Sequence, residues 1–256
     1  MGTRYKKTGA DQLHYLAASN FHPANTYFHF SFANYYNADR MNYGVLRVLN
    51  DDDVTPRGGF EQHGHRDMEI VSYVVRGQLT HWDSAGDVEN VLERGHVQIV
   101  TAGDGVMHSE LNKSDKWTRF LQIWILPPAK GLAVRYDAKK FTPADRLNKL
   151  LHIVGNISNK EQAPLYLNQD VNFYVSEIDN KDAKISFALK PERQAYINNF
   201  EGSVEIRGLE MPETLDERAS IEISGPAEIE FSSNTGHAHF IIIEMAKETK
   251  NGQKRQ

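Results

Sequence analysis

Two short pairs of residues in this sequence carry side chains that readily bind metal ions. His63 and His65 form the first pair, and His108 and Glu110 form the second. Successive side chains of a β-strand alternate between its two faces, so residues two apart point the same way and can bind one ion together. If both pairs lie on neighbouring strands of one barrel, three imidazoles and one carboxylate face its interior. One or two coordination positions would then stay open for another ligand.

Cysteine is absent from the 256 residues, which narrows the metal chemistry. Disulfides, thiolate ligands and a cysteine nucleophile are excluded, so any ion must be held by histidine and carboxylate. A set of three nitrogens and one oxygen suits Fe(II), Ni(II), Mn(II), Cu(II) or Zn(II). The sequence therefore predicts one divalent ion and does not by itself choose among these metals.

Glycines precede both pairs and allow the sharp bends with which a strand enters the rim of a barrel. Gly58 and Gly59 stand before the first pair, and Gly103 and Gly105 stand before the second. A single histidine on a strand is more often structural or exposed than a ligand. We interpret most of the other histidines in that way: His14, His22, His81, His96, His152, and the pair His237 and His239, which offers only half a site.

Three further residues are candidates for the surroundings of such a site. Glu69 lies four residues beyond His65 and has the same strand parity; it could be a fifth ligand, a partner for an imidazole N–H or a buried acid, and we favour the imidazole partner. His29 lies in an aromatic segment and could line a pocket or fill a packed seam. Phe60 could form an apolar wall for a planar ligand or belong to the core. The same alternatives apply to three other aromatic residues, Phe28, Phe30 and Phe32.

The composition indicates a globular protein without a strongly basic surface. Hydrophobic residues make up 40% of the chain and charged residues 25%, and the formal net charge is −5. No positive field would gather phosphates, so we expect no direct contact with nucleic acid. The longest apolar runs, such as Phe240–Ile243, are far shorter than a membrane span, and we expect a cytoplasmic protein without membrane association. The length favours two domains over one.

Short runs in which apolar, β-branched or aromatic residues alternate with polar ones predict a sandwich or closed barrel. We expect hairpins around Gly77 and at Ser84–Asp87. Thr142–Ile153 predicts a helix between two β units, because Pro143 fits a first helical position and leucines follow at helical spacing. The predicted strands are Gly44–Leu49, Glu69–Val75, Gln78–Trp82, Val97–Thr101, Phe120–Leu126, Asn172–Ile178, Lys184–Leu189, Ser203–Gly208, Ile221–Ile223, Glu228–Phe231 and Phe240–Met245.

The two halves show signs of a diverged internal repeat. Gly77 and Gly202 can be aligned, since each follows one predicted strand and precedes another. Counting back from Gly77 reaches the first histidine pair, whereas the same steps from Gly202 reach Ala188 and Lys190. On this register the second half has lost its metal site.

A characteristic series of motifs runs through the first half of the chain: Phe30–Tyr36, Asp51–Asp53, Gly59–Phe60, His63–Glu69, Tyr73, Gly77, Asp83–Ser84, Gly95, Thr101–Glu110 and Leu121–Ile125. Taken together, these motifs resemble the pirin family, particularly its bacterial members similar to quercetin 2,3-dioxygenases. The resemblance covers roughly residues 20–140, whereas the second half resembles only a degenerate cupin domain.

The resemblance implies an all-β fold of two cupin barrels, that is, double-stranded β-helices or jelly rolls, with short connecting helices. An N-terminal barrel over 1–140 would hold the metal, a degenerate barrel would follow over 141–246, and 247–256 would form a polar tail. The four residues of the two pairs fall on the family's ligand positions. Because the family takes its acid from Glu110, beside the second motif's histidine, we leave Glu69 out of the ligand set. Fe(II) is the favoured ion.

The activity that the resemblance implies is ring-opening oxygenation of a flavonol, such as quercetin, or of a related enediol aromatic. The partners would be a small aromatic substrate and dioxygen, with Glu110 as a ligand or as the base that takes the substrate's hydroxyl proton. The family also includes proteins regarded as transcriptional cofactors. The alternative is therefore a non-enzymatic metal-binding regulator that acts through protein–protein contacts. A solvent-connected site would favour the enzyme, and a closed site would favour the regulator.

Overall fold

The computed structural model describes residues 2–87 and 89–247, which form an almost entirely β structure. This part of the chain contains 22 strands, the helix α1 (Pro143–Arg146), and 3₁₀ turns at Ala10–Gln12 and Ile157–Asn159. The strands are β1 (Arg4–Thr8), β2 (His14–Leu16), β3 (Ala24–Phe28), β4 (Leu46–Val54), β5 (Gly59–His65), β6 (Glu69–Arg76), β7 (Gln78–Asp83), β8 (Glu89–Glu93), β9 (Val97–Thr101), β10 (Val106–Leu111), β11 (Thr118–Ile125), β12 (Arg135–Lys139), β13 (Leu151–Asn156), β14 (Leu165–Leu167), β15 (Val171–Ile178), β16 (Ile185–Leu189), β17 (Arg193–Gly202), β18 (Val204–Arg207), β19 (Glu213–Leu215), β20 (Ser220–Ser224), β21 (Ala227–Ser232) and β22 (Ala238–Ala246).

The strands form two pairs of sheets with the same internal order. In the first pair, a seven-stranded sheet runs β12-β9-β6-β11-β4-β3-β2 and a four-stranded sheet runs β5-β10-β7-β8. In the second pair, the corresponding orders are β1-β20-β17-β22-β15-β13-β14 and β16-β21-β18-β19. The prediction of an all-β fold with two cupin barrels is therefore confirmed. The matching orders also support the alignment of the two halves as a repeat.

The edge strands β1 and β12 occupy equivalent places in the two large sheets. β12 pairs with β9, whereas β1 pairs with β20 and so adds to the sheet of the second half although it begins the chain. The domain boundaries drawn at residues 140 and 246 stay a prediction. The predicted polar tail over 247–256 lies outside the described residues except for Lys247.

The two seven-stranded sheets pack against each other through a shared apolar core. Tyr73 and Leu121 contribute from the first sheet, and Phe173 and Phe200 contribute from the second. All four side chains are buried. Because these positions of β6 and β11 face the other half, the alternate positions of the same strands face the interior of the first barrel. That parity determines which side chains can build a site there.

The interiors of the two barrels differ in chemistry. Apolar side chains such as Phe187, Ile206 and Phe231 fill the second barrel. In the first barrel an apolar group that includes Leu79 and Phe120 fills one end. Polar side chains are buried beyond it, namely Thr26, Asp52, Ser72, His81, Gln98, Glu110 and Gln122. The first barrel therefore has the polar interior that a metal site requires, as the repeat alignment predicted.

The prediction of a helix over Thr142–Ile153 is wrong beyond its first turn. The helix α1 has four residues, and its start is capped by Asp145, which accepts hydrogen bonds from the backbone and hydroxyl of Thr142 at 2.7 Å each. Asn148 then adopts a left-handed conformation with φ of 53°. From Leu151 onward the chain pairs with β15 as strand β13, because tertiary pairing outweighs local helix propensity. No helix among the described residues is long and apolar enough to span a bilayer.

The hairpin predicted around Gly77 is wrong, whereas the one at Ser84–Asp87 is confirmed. β7 pairs with β8 across the latter turn. At Gly77 the chain instead crosses from the seven-stranded sheet to the four-stranded sheet. Gly77 has φ of 80°, and a Cβ there would lie 2.9 Å from the Cα of Thr118. Glycine is needed at this crossing, since a side chain would clash with the neighbouring strand.

A buried carboxylate links the two halves electrostatically. Asp51 on β4 accepts hydrogen bonds from Arg119 Nε and Nη2, at 2.8 and 2.6 Å. Arg218, from the second half, lies 2.8 Å from the same carboxylate. Burial alone would raise the pKa of Asp51, but the charge and hydrogen bonds of Arg119 and the charge of Arg218 outweigh burial and hold it below its ordinary value. The carboxylate is therefore ionised at neutral pH.

Asp51→Asn should lower the free energy of unfolding by about 3–5 kcal/mol, because Arg119 and Arg218 lose the buried counter-charge that they share and keep only the more exposed carboxylates of Glu217 and Asp53. Equilibrium denaturation in urea, followed by circular dichroism, measures the change. Asp115→Asn is the matched control: Asp115 pairs with Arg57 at 2.8 Å in an exposed position, and its loss should leave the unfolding midpoint unchanged. Equal losses in the two variants would contradict a linking role for Asp51.

Candidate metal centre

Strands β5 and β10 bring the two predicted pairs together. They pair antiparallel with His63 directly opposite His108, and His65 lies two residues further along β5. The register shifts between His108 and Glu110, where a β-bulge places Glu110 opposite Phe60. Bulges re-aim the side chains that follow them and are common beside functional sites.

Three imidazole nitrogens converge on one face of this strand pair. His65 Nε2 lies 2.7 Å from His108 Nε2, which lies 3.0 Å from His63 Nε2. His63 Nδ1 donates to the carbonyl oxygen of Glu61 at 2.7 Å, which leaves Nε2 of His63 with a free lone pair. His108 and His65 are buried, whereas His63 is partly exposed. Solvent can therefore reach the group from one side.

Burial keeps the inner imidazoles neutral. It lowers the pKa of His65 to about 3 and that of His108 to about 3, and neighbouring histidines contribute in the same direction. Neutral imidazoles present nitrogen lone pairs, which repel one another at this separation unless a proton or a cation lies among them. Three such nitrogens are a suitable donor set for a borderline divalent cation. The residues present therefore fit a single metal ion.

Glu110, the fourth predicted ligand, lies beside the three histidines and not among them. The histidines form one set of atoms that could bind an ion. Glu110 belongs to a second set with His81 and His108, in which the ligand atoms lie within 4.8 Å of one another. The structure thus brings three of the predicted ligands into direct contact and places the fourth next to His108. The set of four ligands stays a proposal.

Hydrogen bonds from three polar side chains hold the buried Glu110 carboxylate. Ser72 Oγ donates to Oε1 at 2.7 Å, Gln98 Nε2 donates to Oε1 at 3.0 Å, and Gln122 Nε2 donates to Oε2. The three donors lie side by side, because Ser72 is opposite Gln122 on one neighbouring strand and Gln98 on the other. None of the three was among the residues predicted from the sequence. Each is a polar residue in a largely apolar strand, at a position whose side chain faces the barrel interior, and this pattern could have identified them.

His81 lies in the same buried layer and serves a structural role there. Its Nε2 lies 3.0 Å from Asp83 Oδ2, and Gln98 Nε2 donates to its Nδ1 at 3.1 Å. The ring of Tyr136 stacks on the imidazole at 4.9 Å with an interplanar angle of 7°. Both ring nitrogens are therefore engaged, and His81 is connected to Glu110 through Gln98.

Aromatic rings form a wall next to the histidines. Trp124 contacts His65 edge to face, with ring centroids 4.9 Å apart, and Phe32 contacts Trp124 in the same manner at 5.2 Å. Phe28 stacks on Phe32 at 5.9 Å. The indole Nε1 of Trp124 is buried and has no hydrogen-bond partner among the described residues. Two of the predicted wall residues, Phe28 and Phe32, thus lie near the site.

The other two aromatic candidates belong to the core. Phe30 is part of the apolar core between the two halves. Phe60 packs against the apolar group at the filled end of the first barrel, with its ring 6.3 Å from that of Phe120. Of the two alternatives for Phe60, these contacts support the core, and a role of Phe60 in a pocket stays a prediction.

Glu69 does not hold an imidazole, and that expectation is wrong. Its buried carboxylate accepts hydrogen bonds from the backbone of Asn168 at 2.7 Å, from the side chain of Asn168 at 2.9 Å and from the backbone of Gln169 at 2.9 Å. These partners lie in the second half of the chain. Glu69 therefore fastens the two halves together, and its strand parity with His65 does not bring it to the site.

The remaining histidines in question lie at the seam or at the surface. His29 fills a packed seam: it is buried, its Nδ1 lies 2.8 Å from Tyr196 OH, and burial lowers its pKa to about 3. His239 is buried with its Nδ1 2.9 Å from Glu201 Oε2, whereas His237 is exposed. None of the three contacts the histidines of β5 and β10 among the described hydrogen bonds.

Asp52 adds an unusual carboxyl group to the interior of the first barrel. It is buried and accepts a hydrogen bond from Thr26. Burial raises the pKa of Asp52 from 3.8 to about 8; the charges of Asp51 and Glu110 add to this effect, and the hydrogen bond from Thr26 opposes it. Asp52 is therefore protonated at neutral pH.

Comparisons with known proteins agree with the fold and with the presence of a metal centre. The family model described as Pirin matches residues 12–125, and the model described as Quercetinase C-terminal cupin domain matches residues 157–245. A pirin-like protein of Caulobacter vibrioides is 37% identical over 183 residues, which cover 72% of this chain and 78% of that protein. A quercetin 2,3-dioxygenase of Escherichia coli K12 is 36% identical over 181 residues, which cover 70% and 75%. The crystal structure of a bacterial pirin from Escherichia coli in complex with nickel(II) has a TM-score of 0.83 and 26% identity, and covers 96% of this chain and 100% of that chain.

The fold and the site define a protein of two cupin barrels with a candidate single-metal centre in the first. Because its relatives share more than a third of their aligned residues over most of their length, the chain belongs to the pirin family. The resemblance drawn from the sequence motifs is thereby confirmed.

If this metal centre forms, each chain should bind one divalent ion, and binding should depend on each of the three converging histidines. His63→Ala removes one of the converging nitrogens. It should therefore weaken Ni(II) binding by more than roughly 10–100-fold, which is the loss typical when only an outer partner of a metal ligand is removed. Elemental analysis and calorimetric titration measure content and affinity. His237→Ala changes an exposed histidine of the second half and should bind as wild type. Similar affinities in both variants would exclude His63 as a ligand.

The protonated Asp52 predicts a pH dependence of stability. Between about pH 4 and about pH 8 the unfolded chain ionises this carboxyl while the folded chain keeps its proton, so stability falls as pH rises through that window. Asp52→Asn keeps an acceptor oxygen for Thr26 and removes the titration. Urea denaturation at pH 5 and pH 8 should show a larger loss in the wild type than in the variant. Parallel losses would mean that Asp52 is ionised in the fold.

Proposed function

We propose that this protein is a metal-dependent dioxygenase that opens the ring of a flavonol, such as quercetin, or of a related enediol aromatic. The observation that carries the proposal is the convergence of three Nε2 atoms beside the buried carboxylate of Glu110. A relative described as a quercetin 2,3-dioxygenase supports this reaction class.

In the proposed enzyme, His63, His65 and His108 hold one ion, and Glu110 is the fourth ligand or a base beside it. A divalent ion bound there would act as a Lewis acid that acidifies the enolic hydroxyl group of a substrate. Fe(II) is the favoured ion. The nickel-bound relative supports Ni(II) as an alternative, and Mn(II), Cu(II) or Zn(II) would suit the same donors.

Glu110 is the proposed acceptor of the substrate's hydroxyl proton. Its carboxylate is fully buried next to His108, so it is shielded from bulk water and adjoins the place where a substrate would meet the ion. Its hydrogen bonds fix its orientation before a substrate arrives. A positioned general base of this kind contributes about 10²–10⁴-fold to a rate.

The aromatic wall formed by Trp124, Phe32 and Phe28 suits a planar substrate. Flat rings stack against or meet the edges of other aromatic rings, and the wall adjoins His65 directly. The unpaired indole N–H of Trp124 can donate to a substrate oxygen. These features give the site both an apolar surface and a polar contact for a flavonol.

Access from solvent to the site favours an enzyme over a regulator whose metal site is closed to solvent. His63, one of the three converging histidines, is partly exposed, whereas His65 and His108 are buried. A small molecule can therefore approach the converging nitrogens from the side of His63.

Oxygen consumption by the metal-loaded protein tests the proposal. Protein reloaded with Fe(II), Ni(II), Mn(II), Cu(II) or Zn(II) should consume dioxygen with at least one metal when it is given a panel of flavonols and catechols. Glu110→Gln should lower kcat by about 10²–10⁴-fold, because an amide cannot accept the proton. Glu228→Gln changes an exposed acid on β21, the equivalent of β10 in the second barrel, and should keep wild-type kcat.

The absence of oxygen uptake with all five metals across the panel would refute dioxygenation of these substrates. Wild-type kcat in Glu110→Gln would refute its role as the base while leaving the metal-dependent reaction in place.

A further inference from the structure

The two carboxylate oxygens of Glu110 have unequal hydrogen-bond partners. Oε1 accepts from Ser72 Oγ at 2.7 Å and from Gln98 Nε2 at 3.0 Å. Oε2 accepts from Gln122 Nε2, which is its one donor among the described residues. All four side chains are buried, and Gln122 is the least completely buried of them. Oε1 thus accepts two hydrogen bonds, and Oε2 accepts one.

The donors to Oε1 are themselves held in place. The amide nitrogen of Gln98 also lies 3.1 Å from His81 Nδ1 and 3.1 Å from Ser72 Oγ. Its amide oxygen accepts from Tyr136 OH at 3.4 Å. Turning Gln98 away from Glu110 would break several buried hydrogen bonds at once, and such networks are costly to leave partly satisfied. The Oε1 side is therefore rigid.

Gln122 is less constrained than Gln98. Its amide oxygen lies 3.3 Å from Ser72 Oγ, but the single hydroxyl proton of Ser72 goes to the nearer Oε1 of Glu110 at 2.7 Å. No further side-chain hydrogen bond holds Gln122 within the described part of the chain. Its amide can therefore turn away from Glu110 with the loss of a single hydrogen bond.

We propose that Oε1 is the fixed oxygen of Glu110 and that Oε2 is its working oxygen, with Gln122 as the positioning residue that donates to Oε2 when Oε2 contacts neither ion nor substrate. Oε2 leaves Gln122 to contact the ion or to take a proton, while Ser72 and Gln98 keep the carboxylate in place. Contact with the ion depends on the proposed ligand set, and the proton-accepting role rests on the proposed dioxygenase function.

If Oε2 exchanges partners in this way, loss of a donor to Oε1 and loss of the donor to Oε2 should change the metal affinity in opposite directions. Loss of a donor to Oε1 lets the carboxylate rotate, so an ion must order it on binding and binds more weakly. Loss of Gln122 removes a competitor for Oε2, so an ion binds more tightly. A purely structural role would loosen the site in both cases and lower the affinity in both.

Ni(II) titration of the full-length protein, by calorimetry without substrate, distinguishes these outcomes. Ser72→Ala and Gln98→Met should weaken Ni(II) binding by roughly 10–100-fold, the range typical of outer partners of metal ligands. Gln122→Met keeps the shape of the side chain and removes its donor, so it should tighten Ni(II) binding several-fold. The absorption spectrum of the Co(II)-loaded protein should keep the wild-type coordination in Gln122→Met and change in Ser72→Ala.

Opposite changes of affinity in Gln122→Met and Ser72→Ala support the proposal. Weaker binding in both variants, or unchanged binding in Gln122→Met, overturns it. Thermal unfolding of the metal-free variants checks that they fold. If Gln98→Met fails to fold, Ser72→Ala decides the Oε1 side, because it removes a single hydroxyl group; Gln122→Ala serves as the second variant on the Oε2 side.

The titration separates this proposal from the proposed function. If metal-loaded wild type does not oxidise flavonols, the dioxygenase activity is refuted, and the titration still decides whether Oε2 is the exchanging oxygen. If wild type does not bind Ni(II), the ligand set and this proposal are refuted together.

Discussion

The antiparallel pairing of β5 with β10 is the constraint on which the site depends. Its register sets His63 opposite His108, and a slip of one residue would turn the side chains of one strand to the other face of the sheet. Gly59 secures the start of this pairing. It has φ of 152°, and a Cβ there would lie 2.6 Å from the carbonyl oxygen of Glu110. Only glycine lets the two backbones approach so closely, so the register that assembles the candidate metal centre also depends on the first residue of β5.

A polar barrel interior is stable here because the neighbouring cores are apolar. Buried polar groups cost free energy unless they are hydrogen-bonded, and the row of Ser72, Gln98 and Gln122 satisfies the carboxylate that the chemistry needs. The first barrel thereby gives up hydrophobic packing in its middle layer. The shared core between the large sheets and the apolar second barrel supply that packing instead. The second barrel thus stabilises a site to which it contributes none of the converging nitrogens.

Strand periodicity helped to predict the grouping of the histidines, because the candidate ligands are close in sequence within each pair. His63 and His65 lie on one strand, and alternation alone shows that they share a face. The partners of Glu69 could not be found in this way, since Asn168 is 99 residues away and meets it only when the halves pack. The donors to Glu110 were not predicted for a similar reason. Gln98 is an isolated polar residue in its own strand, and only the pairing of three strands brings it next to Ser72 and Gln122.

Local patterns also failed where tertiary pairing decided the outcome. The leucines after Pro143 have helical spacing, yet β15 offers a partner strand, and from Leu151 the chain forms β13. Gly77 looks like the turn of a hairpin, yet its two strands belong to different sheets. In both cases the sequence marks a change of direction correctly, but the identity of the neighbour depends on contacts that one segment does not contain.

The place of β1 sets the order in which the protein can be completed. Arg4 pairs with Ser224, so β1 cannot pair until a segment far later in the chain has been synthesised. Contacts between such distant residues form slowly, because a long loop must close before they stabilise anything. Until then β20 would present an open edge that can recruit strands from other molecules. Closure of the second large sheet is therefore a late event in folding, and a chain truncated at its N-terminus would keep that edge exposed.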